Sequence, residues 1–254
     1  ADTAVDKRAT LIDRLLARPE FADYWTLKWS DLLRVKAEYP INLWPNAAQA
    51  YHRWIYDAVR TDKPLDQFAR ELLVSSGSNV HAGAVNFYRA VPGREPLALA
   101  KTVALTFLGT RDEAWSAEQW TGLAGFFSQV GYKSTGEWKE EIVFWDPGKA
   151  IPTGAAAPRF PDGTAPALRP DQDPRVVVAD WLLAPENPWF ARVMANRIWS
   201  WVMGRGVVHE PDDFRPGNPP SHPELLQDLA DELVASHYSL KHLFRLILTW
   251  QVYQ

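Results

Sequence analysis

Leu15-Leu16-Ala17-Arg18-Pro19-Glu20-Phe21-Ala22 sets the pattern of this chain, because Leu182-Leu183-Ala184-Pro185-Glu186 echoes its first part and Phe190-Ala191 its end. Each copy reads as a helix stop followed by a helix start. Proline breaks a helix interior but suits the first turn of the next helix, where an acidic neighbour is also favoured. A Trp-bearing helix follows each copy, with Trp29-Ser30 in one and Trp199-Ser200 in the other. Further along, Leu65-Asp66-Gln67-Phe68-Ala69-Arg70-Glu71-Leu72-Leu73 is echoed by Leu240-Lys241-His242-Leu243-Phe244-Arg245-Leu246-Ile247-Leu248. The order of the echoes is kept, which predicts two related four-helix units, about 8–76 and 175–254, around a distinct centre. Chance likeness between amphipathic helices that begin with Pro-Glu is the competing reading.

Outward from these echoes, helical spacing dominates. Tyr24, Trp25, Trp29, Leu32 and Leu33 form one apolar stripe, and Tyr51, Trp54, Ile55, Ala58 and Val59 form another behind Pro45. A helix over roughly 96–108 ends at Gly109, and Ser116 with Gln119 makes a capping box ahead of Trp120, Leu123, Phe126 and Phe127. Asn187-Pro188 predicts a cap with Pro at the first helical position, and Ser221 with Glu224 a second capping box. Between them, Gly and Pro cluster over 131–174, broken by the β-like run Ile142-Val143-Phe144-Trp145. The expected fold is all-α: about ten helices in two helical subdomains, with at most one short strand pair. The expected boundaries are 1–145, a linker or long surface-crossing loop over 146–173, and 174–254.

Composition narrows the chemistry. The chain of 254 residues has no Cys and 13 Trp. Absent Cys removes disulfides, thiolate metal sites and cysteine nucleophiles. The 27 basic against 31 acidic residues leave a charge of −4, so no global field favours nucleic acid. No apolar run has the length of a membrane span, and the first residues lack the apolar core of a signal peptide.

Specific strings occupy the second half: Pro185-Glu186-Asn187-Pro188-Trp189-Phe190-Ala191-Arg192, Asn196-Arg197-Ile198-Trp199, Met203-Gly204-Arg205-Gly206 and Asp212-Asp213-Phe214-Arg215-Pro216. Asn218-Pro219-Pro220-Ser221-His222-Pro223-Glu224-Leu225-Leu226 and Leu240-Lys241-His242-Leu243 follow, with Tyr253-Gln254 at the end. They resemble the planctomycete-specific C-terminal domain of unknown function found in large envelope proteins of planctomycetes and verrucomicrobia. The first half resembles its usual partner, the cytochrome-c-associated domain of unknown function. Leu11-Ile12-Asp13-Arg14-Leu15-Leu16, Trp54-Ile55, Asp66-Gln67-Phe68, Phe87-Tyr88-Arg89, Phe107-Leu108-Gly109 and Gly122-Leu123-Ala124-Gly125-Phe126-Phe127 carry that likeness. The resemblance implies a secreted, periplasmic or cell-envelope setting, and a polypeptide that extends beyond both ends of this stretch. In many members a C-x-x-C-H motif lies between the Phe-Leu-Gly and Gly-Leu-Ala-x-Phe-Phe segments. Here Gly109-Thr110-Arg111 runs directly into Asp112-Glu113-Ala114-Trp115, so no thioether bond to haem can form.

Candidate site residues come from acids near aromatics. Glu140 and Glu141, beside Glu137, Trp138 and Lys139, offer carboxylates for acid/base work on a sugar, with Asp213 as a distant partner. Adjacent residues of a strand point to opposite faces, so only one of the two glutamates could serve, and a solvated surface cluster explains them as well. Trp44, Asn46, Asn86, Tyr88, Arg89, Trp138 and Arg215 mix rings, amides and guanidinium groups in the way saccharide or peptide sites do. An Asp213–Arg215 bridge that locks its own loop is the alternative for that pair. The six His show no metal-ligand spacing, so neither a metal nor a cofactor is expected.

These residues favour a non-catalytic binding or scaffolding module that meets a polysaccharide or an envelope protein partner. A carbohydrate-active hydrolase or lyase using Glu140, Glu141 or Asp213 is the second reading, and an electron-transfer protein that has lost covalent haem the third. Trp25, Trp29, Trp54, Trp120, Trp181 and Trp201 fall on apolar stripes and are expected in the core. Trp44, Trp115, Trp138, Trp145 and Trp189 are the tryptophans to look for at the surface.

Overall fold

The computed structural model describes residues 7–250; Ala1 and Tyr253-Gln254 lie outside them. In chain order, α1 (Lys7–Leu16), α2 (Pro19–Leu32), α3 (Trp44–Arg60) and α4 (Leu65–Val74) come first. A centre follows, with β1 (Gly77–Ser78), α5 (Pro96–Phe107), α6 (Ala117–Gly125), β2 (Val130–Ser134) and β3 (Glu141–Trp145). The chain then builds α7 (Pro174–Leu183), α8 (Phe190–Met203), α9 (Pro223–Ala235) and α10 (Leu240–Thr249). Helices dominate, as their apolar spacing dictates. No helix among the described residues is long and apolar enough to cross a membrane.

The two four-helix units match in detail. The spacing from Leu15 to Leu182 is also that from Arg8 to Arg175 and from Asp13 to Asp180, while Trp29 pairs with Trp199 and Arg70 with Arg245. The turns after α3 and α9 share their hydrogen bonds, although Tyr238 (φ 58°) is left-handed and its counterpart Lys63 is not. Thr61 and Ser236 donate their backbone N–H to Asp57 and Glu232, and Lys63 and Tyr238 donate theirs to Ala58 and Leu233. Asp62 (φ 53°) and His237 (φ 55°) take the left-handed conformation between them. After α2 and α8 the left-handed positions are Arg34 (φ 58°) and Gly204 (φ 77°), the place where a helix commonly reverses.

The units exchange their end helices. α2 packs on α3 and α8 on α9, but α1 packs on α10 and α7 on α4. Arg245 of α10 pairs with Asp13 of α1 at 2.6 Å, and the matching Arg70 of α4 pairs with Asp180 of α7 at 2.7 Å. Arg8 donates to the carbonyl of Leu248 at the end of α10, while Arg175 donates to that of Ser75 just past α4. The two matching turns meet, Leu65 donating its N–H to Tyr238 O and Lys241 its N–H to the Asp62 carboxylate. Aromatic rings fill the space between α2 and α8, where Trp201 stacks on Trp25 and meets Trp29 edge-on.

The centre departs from the expectation of at most one strand pair. Its sheet has three antiparallel strands in the order β1-β3-β2, with Gly77 opposite Val143 and Tyr132 opposite Val143 on the other side. Gly77-Ser78, directly after the Ser75-Ser76 that follows α4, forms the edge strand, which is too short to show alternation. Residues 146–173 cross α6 rather than hanging free. Phe160 is stacked between Phe126 and Trp181, and Arg159 donates its N–H to Gly122 O. A side chain at Gly125 would collide with the backbone of Pro158, which explains the glycine there.

Caps are mixed. Ser116 and Gln119 form the expected reciprocal box on α6. Ser221 does not cap α9: its hydroxyl donates to Val207 O, the helix starts at Pro223, and the His222 side chain at the cap position bonds no N–H of the helix. Asn187 accepts the N–H groups of Trp189 and Phe190, but α8 begins at Phe190 rather than at Pro188.

Candidate functional site

The β2–β3 hairpin presents Trp138 and Lys139 at its tip, opposite the start of α3. Trp138 is 68% exposed, and its ring meets Trp44 edge-to-face at 5.4 Å. The Lys139 ammonium lies 4.4 Å from the Trp44 ring centre, within cation–π reach. Two hollows of about 670 and 390 Å³ flank this pair and meet at Glu140. One is walled by Asn46, Gln49 and Arg53 of α3 with His81, Glu137 and Trp138; the other by Asn42, Trp44, Arg89, Arg94 and Lys139.

The backbone is strained at this place. Asn42 (φ 55°), Trp44 (φ 66°) and Lys139 (φ 59°) are all left-handed, a conformation that costs a bulky residue such as Trp about 1–3 kcal/mol. Asn42 and Trp44 donate their N–H groups to Glu38 O and Ala37 O, and a hydrogen-bonded knot holds the hairpin at Lys139. Asn79, fully buried, receives the N–H of Glu141 and donates its side-chain amide to Lys139 O. Glu141 is gripped by Arg94 in a two-pronged bond of 2.7 and 2.9 Å, and by Arg89 at 3.0 Å. Arg94 also covers the Tyr132 ring. Burial pushes the Tyr132 phenol up to about 12.

The carboxylates therefore do different work from that of an acid/base pair. Glu141 is fully engaged by two guanidinium groups. Glu140 accepts the hydroxyls of Ser78 and Thr135, and these bonds, Ser78 first, hold its carboxyl below the usual range. A carboxyl kept ionised cannot donate a proton near neutrality. Asp213 lies elsewhere, buried in the loop after α8 and 3.3 Å from Arg215. That loop clasps the end of α5: Phe214 donates its N–H to Gly109 O, and Asp212 meets Arg197, whose guanidinium also reaches Thr106 O.

Of the ligand candidates, Trp44, Asn46, Arg89 and Trp138 come together around the hairpin tip. Asn86 and Tyr88 do not reach solvent, a correction to the sequence reading. The Asn86 amide donates to Asn79 O and Gly83 O and accepts from Arg89; the Tyr88 hydroxyl donates to Leu73 O. Both side chains spend their polar atoms on loop closure. Arg215 belongs with Asp213, away from the hollows. Arg53, His81, Gln49, Arg94 and Asn79 escaped the sequence reading. Asn46, Gln49 and Arg53 follow i, i+3, i+7 spacing on α3, so a polar stripe was there to be read. Of the five tryptophans expected near the surface only Trp138 is strongly exposed; Trp44, Trp115, Trp145 and Trp189 are half-buried.

Where relatives carry the haem motif, this chain has Gly109 (φ 56°) pressed against Phe214, followed by a tight turn over Asp112–Ala114. Without Cys, these residues do not fit covalent haem. Among the described residues, no three His, Asp or Glu side chains converge as a metal site would require.

Two family models match the sequence. PSCyt2, a protein of unknown function (DUF1549), covers residues 1–111, and PSD1, a protein of unknown function (DUF1553), covers residues 174–254. No curated protein and no solved structure matches the chain. The chain therefore belongs with the proteins in which a PSCyt2 domain precedes a PSD1 domain, as a member without the cysteines of a haem site.

Proposed function

We propose that this is a non-catalytic binding module that recognises a polysaccharide at the Trp44–Trp138 surface. The observation that carries the reading is the exposed Trp138 ring, propped edge-on by Trp44 and held on a hairpin whose base is locked by Asn79, Glu141, Arg89 and Arg94. A sugar face stacks on such a ring while its hydroxyls bond the flanking polar groups. Asn46, Gln49, Arg53, His81 and Glu137 supply both donors and acceptors beside it. A rigid platform reduces the ordering cost of binding. The arrangement gives hydrolysis little support, because Glu141 is clamped, Glu140 is ionised and Asp213 belongs to another loop. A secreted or envelope setting suits a polysaccharide ligand and rests on the family resemblance.

Affinity electrophoresis through soluble polysaccharides tests this. At least one polysaccharide should retard the protein, and Trp138→Ala should abolish the retardation while leaving the melting temperature unchanged. Equal retardation of wild type and Trp138→Ala, or none by any glycan, would overturn the reading.

A further inference from the structure

The exchange of end helices lets one half of the molecule report on the other. On the outer face of α1 and α2, Leu11, Leu15, Tyr24 and Leu27 are between 47% and 58% exposed. Their counterparts in the second unit, at the spacings given by Asp13–Asp180 and Trp29–Trp199, are Val178, Leu182, Met194 and Arg197. All four are buried. The centre of the chain reaches this face: Arg197 bonds the carbonyls at the end of α5, and Phe160 stacks on Trp181, the counterpart of Arg14. One face of this kind is thus buried, while among the described residues the other is open beside an apolar hollow of about 690 Å³. Exposed apolar side chains grouped in this way mark an interaction surface.

Charge on the open face selects the occupant. α1 exposes Lys7 and Arg14 beside Leu11 and Leu15, while α2 exposes Asp23 and Asp31 beside Tyr24 and Leu27. Asp13 and Glu20 are already paired, with Arg245 and Arg18, and Lys28 lies against Tyr24. The open face therefore has a basic helix and an acidic helix side by side, each with an apolar stripe. A two-fold axis that sets α1 of one copy on α2 of the next brings basic against acidic twice, and leucine against leucine and tyrosine between them. That self-complementarity is what an isologous dimer requires. We infer that the α1–α2 face is the dimer interface of a second copy of this chain.

Sedimentation velocity on four proteins at micromolar concentration tests the inference. Wild type should sediment as a dimer. Leu11→Glu should shift it to monomer, raising the dissociation constant at least about tenfold, with circular dichroism unchanged because the side chain is exposed. Lys7→Glu with Arg14→Glu, and separately Asp23→Lys with Asp31→Lys, should each be monomeric. Mixing the two charge-reversed proteins should restore a dimer, since both helix contacts are then complementary again. A monomeric wild type, a dimer indifferent to Leu11→Glu, or a mixture that stays monomeric would each overturn the proposal.

Discussion

Arg8 and Arg175 hold matching places at the first helices of the two four-helix units, and each donates to a carbonyl at the end of the other unit's last helix. Their surroundings differ. Arg175 is 2% exposed, held by Asp173, Ser75 and Ser76, with its guanidinium over the Tyr88 ring. Arg8 stands in solvent at the rim of the open hollow. The same contrast recurs inside the units. Asn196 of α8 accepts the N–H of Val208 and donates to its carbonyl, whereas its counterpart Thr26 of α2 is buried with an unpartnered hydroxyl. The orphaned side-chain atoms found among the described residues, in Thr26, Trp29, Ser30, Tyr51 and Asp66, all lie in the first unit. One helical plan has therefore been finished twice in different ways. The centre and the loop after α8 complete the second unit's hydrogen bonds and reach its outer face; among the described residues nothing equivalent covers the α1–α2 face of the first unit.

The largest expected effect separates the two arginines. Arg175→Ala removes a buried guanidinium and leaves the half-buried Asp173 carboxylate with only its backbone capping bond, and should cost about 3 kcal/mol by chemical denaturation. Arg8→Ala should cost about 1 kcal/mol or less, because exposed contacts are screened. Similar losses for both would erase the distinction.

Next comes the polar pair on the middle helices. Asn196→Ala leaves both Val208 backbone groups unpaired and should lose about 1–3 kcal/mol. Thr26→Val removes a hydroxyl that bonds nothing and should be neutral or slightly stabilising. A destabilised Thr26→Val protein would mean that the hydroxyl has a partner after all.

Alkaline pH probes the buried phenols, Tyr51 of α3 among them. Tyr88 and Tyr132 are raised by burial, Tyr132 to about 12, above an ordinary phenol near pH 10. Their protonated forms contribute stability that is complete below about pH 10 and is lost as pH rises, for Tyr132 through about 12 and for Tyr88 higher still. Phenolate absorbance should therefore climb in two stages, the later one together with loss of helical dichroism. A single early stage would show those rings to be open to solvent.

The smallest effect is the most symmetrical. Double-mutant cycles on Arg70–Asp180 and on Arg245–Asp13 should each return about 0.2–1 kcal/mol and agree with one another.

Much of this plan was legible in the residues. Apolar spacing located the helices, because one buried face at helical period leaves a direct trace. The Pro-Glu echo and the matching spacing of Leu65–Leu73 and Leu240–Leu248 pointed to the matching turns and ion pairs, but the exchange of α1 and α7 between units left no such trace. Which helix Asp13 meets depends on the path of the chain, and Arg245 lies far away in sequence. Trp44, Asn46 and Trp138 were found at the surface site from their residue types. Asn86 and Tyr88 misled because the same amide and phenol groups that bind ligands also close loops, and only their hydrogen-bond partners separate the two uses. The third strand went unseen, since two residues are too few to alternate.

Cross-linking in this naturally Cys-free chain tests the exchanged pairing most directly. Four double-cysteine proteins, at positions 13 and 245, 70 and 180, 13 and 70, and 180 and 245, are treated with a short bismaleimide and scored by gel mobility and mass. The exchanged architecture predicts rapid intramolecular linkage for the first two pairs and none for the last two. Linkage of 13 to 70 and of 180 to 245 instead would mean that each unit closes on itself, and would contradict the account.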